Sequence, residues 1–144
     1  MEINMIELNN RNDLLNAYDI YRHCMYMPSK EKFGKMIDSF LADNSIKIFA
    51  CKKCNVIKGI IVISYIEQFK VEINGIAVDI DARGQGIGSY MINKLMNDYN
   101  ILSIYAETDD DAIEFYRKNN FAITKFVKTY DGEDVVRYKC ELKK

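Results

Sequence analysis

An α+β domain, with a mixed and mostly antiparallel sheet flanked by helices, is what this sequence predicts. Three observations carry the prediction. Apolar, β-prone runs are separated by turn residues such as Lys52-Lys53-Cys54-Asn55 and Asp131-Gly132, which join neighbouring strands as hairpins. Stretches with apolar residues at helical spacing fall between those hairpins. One β-prone run, residues 76–80, leads through Gly84, Gly86 and Gly88 into an amphipathic helix. The expected order is β-α-α-β-β-β-α-β-α-β-β, in a single domain over residues 1–144.

Residues 3–8 alternate as a first strand, and Asn9-Asn10-Arg11-Asn12 is turn material able to cap a helix from Asp13. Leu14, Tyr18, Tyr21 and Met25 recur at helical spacing until Pro28 stops that helix. Ser29 then caps a second helix, whose core stripe is Phe33, Met36, Ile37, Phe40 and Leu41. Residues 46–51 and 56–66 read as a hairpin, and 71–78 as the next strand. Ile87, Met91, Leu95 and Met96 define a helix ending near Asn100, with a strand at 101–106. Acids at Asp109, Asp110 and Asp111 suit the positive end of a helix carrying Ala112, Ile113, Phe115 and Tyr116. Residues 121–130 and 134–142 close the chain as a hairpin.

Composition excludes several classes. With 49% hydrophobic and 28% charged residues, the chain has ordinary globular usage rather than that of a disordered or membrane protein. A net charge of −1 with both signs interspersed lacks the basic surface of a nucleic-acid binder. The sequence opens on Met1-Glu2-Ile3-Asn4 without a secretory pattern, and the apolar stretch at 59–66 is too short to span a bilayer as a helix. A cytoplasmic protein with reduced thiols is expected, without nucleic acid or membrane as partners. Cys51 and Cys54 have the spacing of half a zinc site, but Cys24 and Cys140 are single and the one histidine, His23, adjoins Cys24. No metal is expected, nor a Cys24–His23 nucleophile, because neighbours on a helix point in different directions.

The run Arg83-Gly84-Gln85-Gly86-Ile87-Gly88-Ser89 has the layout of an anion cradle. Glycines let successive backbone N–H groups turn toward one spot, and the following helix adds its positive dipole end there. A phosphate or pyrophosphate is the expected ligand. Gly84, Gly86 and the acidic Glu107 about twenty residues on also imitate a dinucleotide fingerprint, although Ser89 stands where its third glycine belongs. An oxidoreductase module is therefore one alternative.

Two segments together identify a family resemblance. Arg83-Gly84-Gln85-Gly86-Ile87-Gly88 matches the Gln/Arg-x-x-Gly-x-Gly/Ala signature of the GCN5-related N-acetyltransferases, and Phe115-Tyr116-Arg117-Lys118-Asn119-Asn120-Phe121 resembles their Phe/Leu-Tyr-x-x-x-Gly-Phe segment. Asn120 replaces the usual glycine, a change compatible with a left-handed backbone. The order of elements matches nearly the whole chain.

The resemblance implies transfer of an acetyl group from acetyl-CoA to a primary amine by direct attack in a ternary complex, with a non-catalytic acyl-CoA sensor as alternative. It places coenzyme A against the backbone of Ile76, Ala77 and Val78 and in the loop of Arg83, Gly84, Gln85, Gly86, Ile87, Gly88 and Ser89. Asp109 stands where many members carry a coenzyme-contacting asparagine. Amines resemble lysine, with a pKa of about 10.4, so attack needs a base. Glu72 occupies the position of the family's catalytic glutamate and would act through water. By period-two alternation Glu72, Asn74, Ile76 and Val78 share one face, which places Asn74 beside such a water. The Ile76 N–H would stabilise the thioester oxygen. Tyr116 would protonate the departing thiolate. A homodimer through the last hairpin is compatible with the family, and the acceptor is left open.

Overall fold

The computed structural model describes residues 2–144, so Met1 of the expected domain lies outside the described residues. β1 (Ile3–Glu7) leads to Asn10, whose side-chain oxygen accepts from the N–H groups of Asn12 (2.8 Å) and Asp13 (3.4 Å) and starts α1 (Arg11–Leu15). The helix expected to run on to Met25 is instead broken. Backbone at Ala17 (φ −90°, ψ 3°) leaves the helical path, α2 covers Tyr18–Tyr21, and a 3-10 turn follows at Arg22–Cys24. The apolar spacing persists across the break, with Leu14, Ala17, Ile20 and Tyr21 all buried. Ser29 caps α3 (Lys30–Ala42) by accepting from the Lys32 N–H, as its position predicts.

The remaining elements are β2 (Ile46–Lys53), β3 (Val56–Glu67), β4 (Lys70–Val78), α4 (Ile87–Asp98), β5 (Ser103–Thr108), α5 (Ile113–Lys118), β6 (Ala122–Tyr130) and β7 (Glu133–Lys143). They form one seven-stranded sheet in the order β1-β2-β3-β4-β5-β7-β6. Every pairing is antiparallel except β4 with β5. This is the mixed, mostly antiparallel sheet expected, and it differs from the parallel sheet of a dinucleotide-binding fold. Asn120 adopts a left-handed backbone (φ 69°) and ends α5, as its place in the motif predicts.

Helices cover both faces. Leu14, Ile20, Tyr21, Phe33 and Ile37 pack on Ile48, Ala50, Ile60, Val62 and Ala77 on one side. On the other, α4 and α5 pack Ile87, Met91, Leu95, Ile113 and Tyr116 against Phe49, Ile61, Ile63, Val71, Ile73 and Ile104. No helix among the described residues is long and apolar enough to cross a membrane.

Two irregularities in β4 prepare the site. The parallel pairing with β5 lasts only three positions, Lys70 with Ser103, Val71 with Ile104 and Glu72 with Tyr105, after which the strands part. The register of β4 against β3 also slips, so that Val62 faces Gly75 and Ile63 faces Ile73, leaving Asn74 as the extra residue of a β-bulge. The bulge overturns the expected common face. Val71 and Ile73 point toward α4 before it, Ile76 and Val78 do so after it, and Ala77 joins the cluster of α1 to α3. Asn74 donates from its amide to Ser64 Oγ at 2.6 Å, an alternative to holding water beside Glu72. One inserted residue shifts the alternation by one, so Glu72 and Ile76 lie on opposite faces.

Candidate active site

Where β4 and β5 part, a cavity of about 340 Å³ opens through the sheet. Its wall contains Ile76, Ala77, Val78, Arg83, Gly84, Gly86, Ile87, Gly88, Ser89 and Tyr116 from the expected site. It also contains His23, Ala82, Ala112, Phe115 and Lys118. Gln85, Asp109 and Glu72 are not among its lining residues.

The glycine loop faces this space for local reasons. Gly84 (φ 79°) and Gly86 (φ 80°) hold left-handed backbone, and no atom lies within 4 Å of where a Cβ would stand on either. Gly88 serves packing instead, since a Cβ there would lie 2.6 Å from the ring of Phe115. The absence of a side chain therefore lets α5 close on the first turn of α4. That turn presents backbone N–H groups and a helix dipole to the cavity, the arrangement that holds a phosphate. Lys58 braces the acidic turn before the loop, pairing with Asp81 at 3.1 Å and Asp79 at 3.7 Å.

Arg83 Nε donates to the Val78 carbonyl at 3.3 Å, tying loop to strand while the side chain still borders the cavity. Gln85 accepts from Lys53 Nζ, directing its amide toward β2. Asp109 accepts from the N–H groups of Asp111 (3.0 Å) and Ala112 (3.3 Å), so its carboxylate shapes the approach to α5.

On β4, Cys24 Sγ donates to the Ile76 carbonyl at 3.7 Å, and the Val78 carbonyl is the acceptor for Arg83. A residue of an antiparallel strand turns its own N–H and C=O to the same side. The N–H groups of Ile76 and Val78 therefore face the gap left by β5, and the peptide groups of Ala77 turn to β3. Ala77 borders the cavity with its methyl.

Tyr116 is 5% exposed, packed edge-on against Phe115 (5.2 Å between ring centres) and Phe121 (5.1 Å). Its hydroxyl has no hydrogen-bonding side chain or backbone partner among the described residues. Burial pushes the phenol well above its ordinary value, with smaller contributions from Cys140 and Cys24, which keeps it protonated and able to donate. Burial likewise pushes the Cys24 thiol up to about 11. Cys24 is exposed as a residue, yet its sulfur turns inward to the strand.

Glu72 opens on a different hollow of about 320 Å³, lined also by Ile66, Glu67, Lys70, Tyr105, Ala106, Glu107, Lys139 and Cys140. Glu107, the acid of the dinucleotide-like spacing, pairs there with Arg137 at 3.3 Å and Lys128 at 3.5 Å. Cys51 is buried and Cys54 exposed, and among the described residues no three or more His, Cys, Asp or Glu side chains gather as a metal site would require. The sequence considers His23 only as a metal ligand or as a partner of Cys24; its place in the cavity wall comes from the 3-10 turn at Arg22–Cys24 packing on β4.

The pattern of the acetyltransferase (GNAT) family matches residues 14–121. The chain belongs to that family. Its fold is similar to a chimeric spermidine N-acetyltransferase from Vibrio cholerae, at 16% identity and TM-score 0.77, covering 99% of this chain and 96% of that one. An N-acetyltransferase from Staphylococcus aureus is similar at 19% identity and TM-score 0.71, covering 99% of each chain. A Salmonella typhimurium protein with its cofactor acetyl-CoA is similar at 11% identity and TM-score 0.72, covering 99% of this chain and 94% of that one. No curated protein matches. GNAT membership implies acetyl-CoA-dependent acyl transfer.

Proposed function

We propose that the chain, as one domain, is an N-acetyltransferase that moves the acetyl group of acetyl-CoA to a primary amine of a small molecule, peptide or protein. The observation that carries this reading is the cavity itself, which joins the N-terminus of α4, the free edge of β4 and Tyr116. The open face of Gly84 and Gly86 fits a pyrophosphate, which the backbone N–H groups of the loop would hold. The outward peptide groups of Ile76 and Val78 suit the amide-bearing arm of the coenzyme as a neighbouring strand would. Acetyl-CoA supplies the activated thioester.

From the chain's side, the Ile76 N–H donates to the carbonyl oxygen as charge collects there. Tyr116 donates its proton to the sulfur as the carbon–sulfur bond breaks, a role suited to a phenol kept neutral by burial. The test has two parts. Acetyl-CoA, and not NAD, is expected to raise the melting temperature through binding to the native state. Thiol release is then followed over a panel of amines that includes polyamines and peptide N-termini. Stabilisation by NAD alone would overturn the assignment, and coenzyme binding without turnover on any amine would favour the sensor.

A further inference from the structure

We propose that His23 is the general base that takes the proton from the acceptor ammonium. This rests on the acetyltransferase reading and assigns its missing proton acceptor. The amine must lose a proton before its lone pair can attack the thioester carbon, and the acceptor of that proton has to reach the cavity where Tyr116 and Ile76 act.

Among the cavity's lining residues the titratable side chains are His23, Arg83, Tyr116 and Lys118. A guanidinium cannot accept a proton, and the reference lysine and tyrosine values lie far above neutrality. Imidazole is the side chain suited to accepting a proton near neutral pH. Glu72 belongs to the other hollow, before the bulge.

Three contacts fix the short turn that carries His23. Tyr21, 3% exposed, sits so close over Gly75 that a Cβ there would lie 2.3 Å from its hydroxyl. Cys24 holds the Ile76 carbonyl at 3.7 Å. Met25 N–H closes the turn on the Arg22 carbonyl at 3.1 Å. Anchored on both sides, the exposed His23 stands between solvent, from which an amine arrives, and the thioester-binding edge of β4. The titratable and charged groups nearest His23 along the chain are Asp19 and Tyr21 on α2 and Arg22 and Cys24 beside it, and those that line the cavity with it are Arg83, Tyr116 and Lys118.

The proton balance closes. His23 takes one proton from R–NH3+, the freed lone pair forms the C–N bond, and the C–S bond breaks with its electron pair on sulfur. The thiolate gains a proton from Tyr116, which is restored by the second proton leaving the new amide nitrogen. His23 returns the first to solvent.

The experiment compares wild type, His23→Gln and Glu72→Gln in a thiol-release assay across pH, using an amine that the wild type acetylates, with acetyl-CoA thermal shift measured in parallel. His23→Gln is expected to keep the acetyl-CoA shift, lose about a hundredfold in kcat, and lose the acid-side limb of the kcat/KM profile. Loss of that limb in Glu72→Gln, with the His23→Gln profile like wild type, overturns the proposal. Loss of the acetyl-CoA shift in wild type overturns instead the reading on which it rests.

Discussion

The two hollows on either side of the β4 bulge lie a few residues apart on one strand and differ in what they can do. The hollow around Glu72 sits where β4 is still paired with β5 and is floored by side chains already engaged with each other, Glu107 with Arg137 and Lys128. Beyond the bulge, where β5 has departed, the wall combines backbone polar groups, a helix N-terminus and one buried phenol with the side chains of His23, Arg83 and Lys118. Chemistry on a thioester needs unspent donors aimed at one point, and those are found where a strand loses its neighbour.

The largest effect expected is that of Tyr116→Phe. Kcat should fall by about a hundredfold or more while acetyl-CoA still raises the melting temperature, because only a proton donor is removed. Full activity in that variant would break the contrast between the hollows.

Next comes Gly75→Ala. Its Cβ would collide with the Tyr21 hydroxyl, and urea denaturation should show about 1–3 kcal/mol of destabilisation. Combining it with Tyr21→Phe, which removes the colliding oxygen, should recover part of that loss.

Alkaline pH gives the third test. Burial raises the Tyr21 and Tyr116 phenols above their ordinary value of 10.0, so the folded state keeps protons that the unfolded state has released. Stability should therefore be unaffected by these groups below pH 10 and fall as pH rises past it, by up to about 1.4 kcal/mol per pH unit for each phenol. The difference in stability between wild type and Tyr116→Phe, followed by urea titration from pH 9 to 11, isolates one of them. The smallest effect is that of Glu72→Gln, expected to cost less than about tenfold in kcat/KM, since a solvated base outside the cavity contributes little. A larger loss would join the two hollows into one site.

The hairpins and the helix of the glycine loop were legible because apolar period and turn residues act locally. Ser29 and Asn120 carry their reason in their own side chains, and Gly84 and Gly86 in the left-handed backbone that the lack of one allows. The bulge was not legible, since one additional residue leaves no compositional mark; Gly75, needed beneath Tyr21, was its nearest trace. Strict alternation then carried Ile76 and Val78 to the wrong face. The break after α1 was hidden because Ala17 and Tyr21 keep helical spacing even where the backbone leaves the helix. His23 depended on a contact between a turn and a strand some fifty residues away, which no local pattern encodes.

The unshared edge of β4 also sets a pattern of amide hydrogen exchange. In the free protein the N–H of Ala77, bonded across to β3, should exchange slowly, and those of Ile76 and Val78 faster, so that protection alternates along a single strand. With acetyl-CoA present, the fast pair should slow toward the rate of Ala77. On that account the bound coenzyme completes the sheet, and the opening energy of its central strand becomes a function of cofactor concentration.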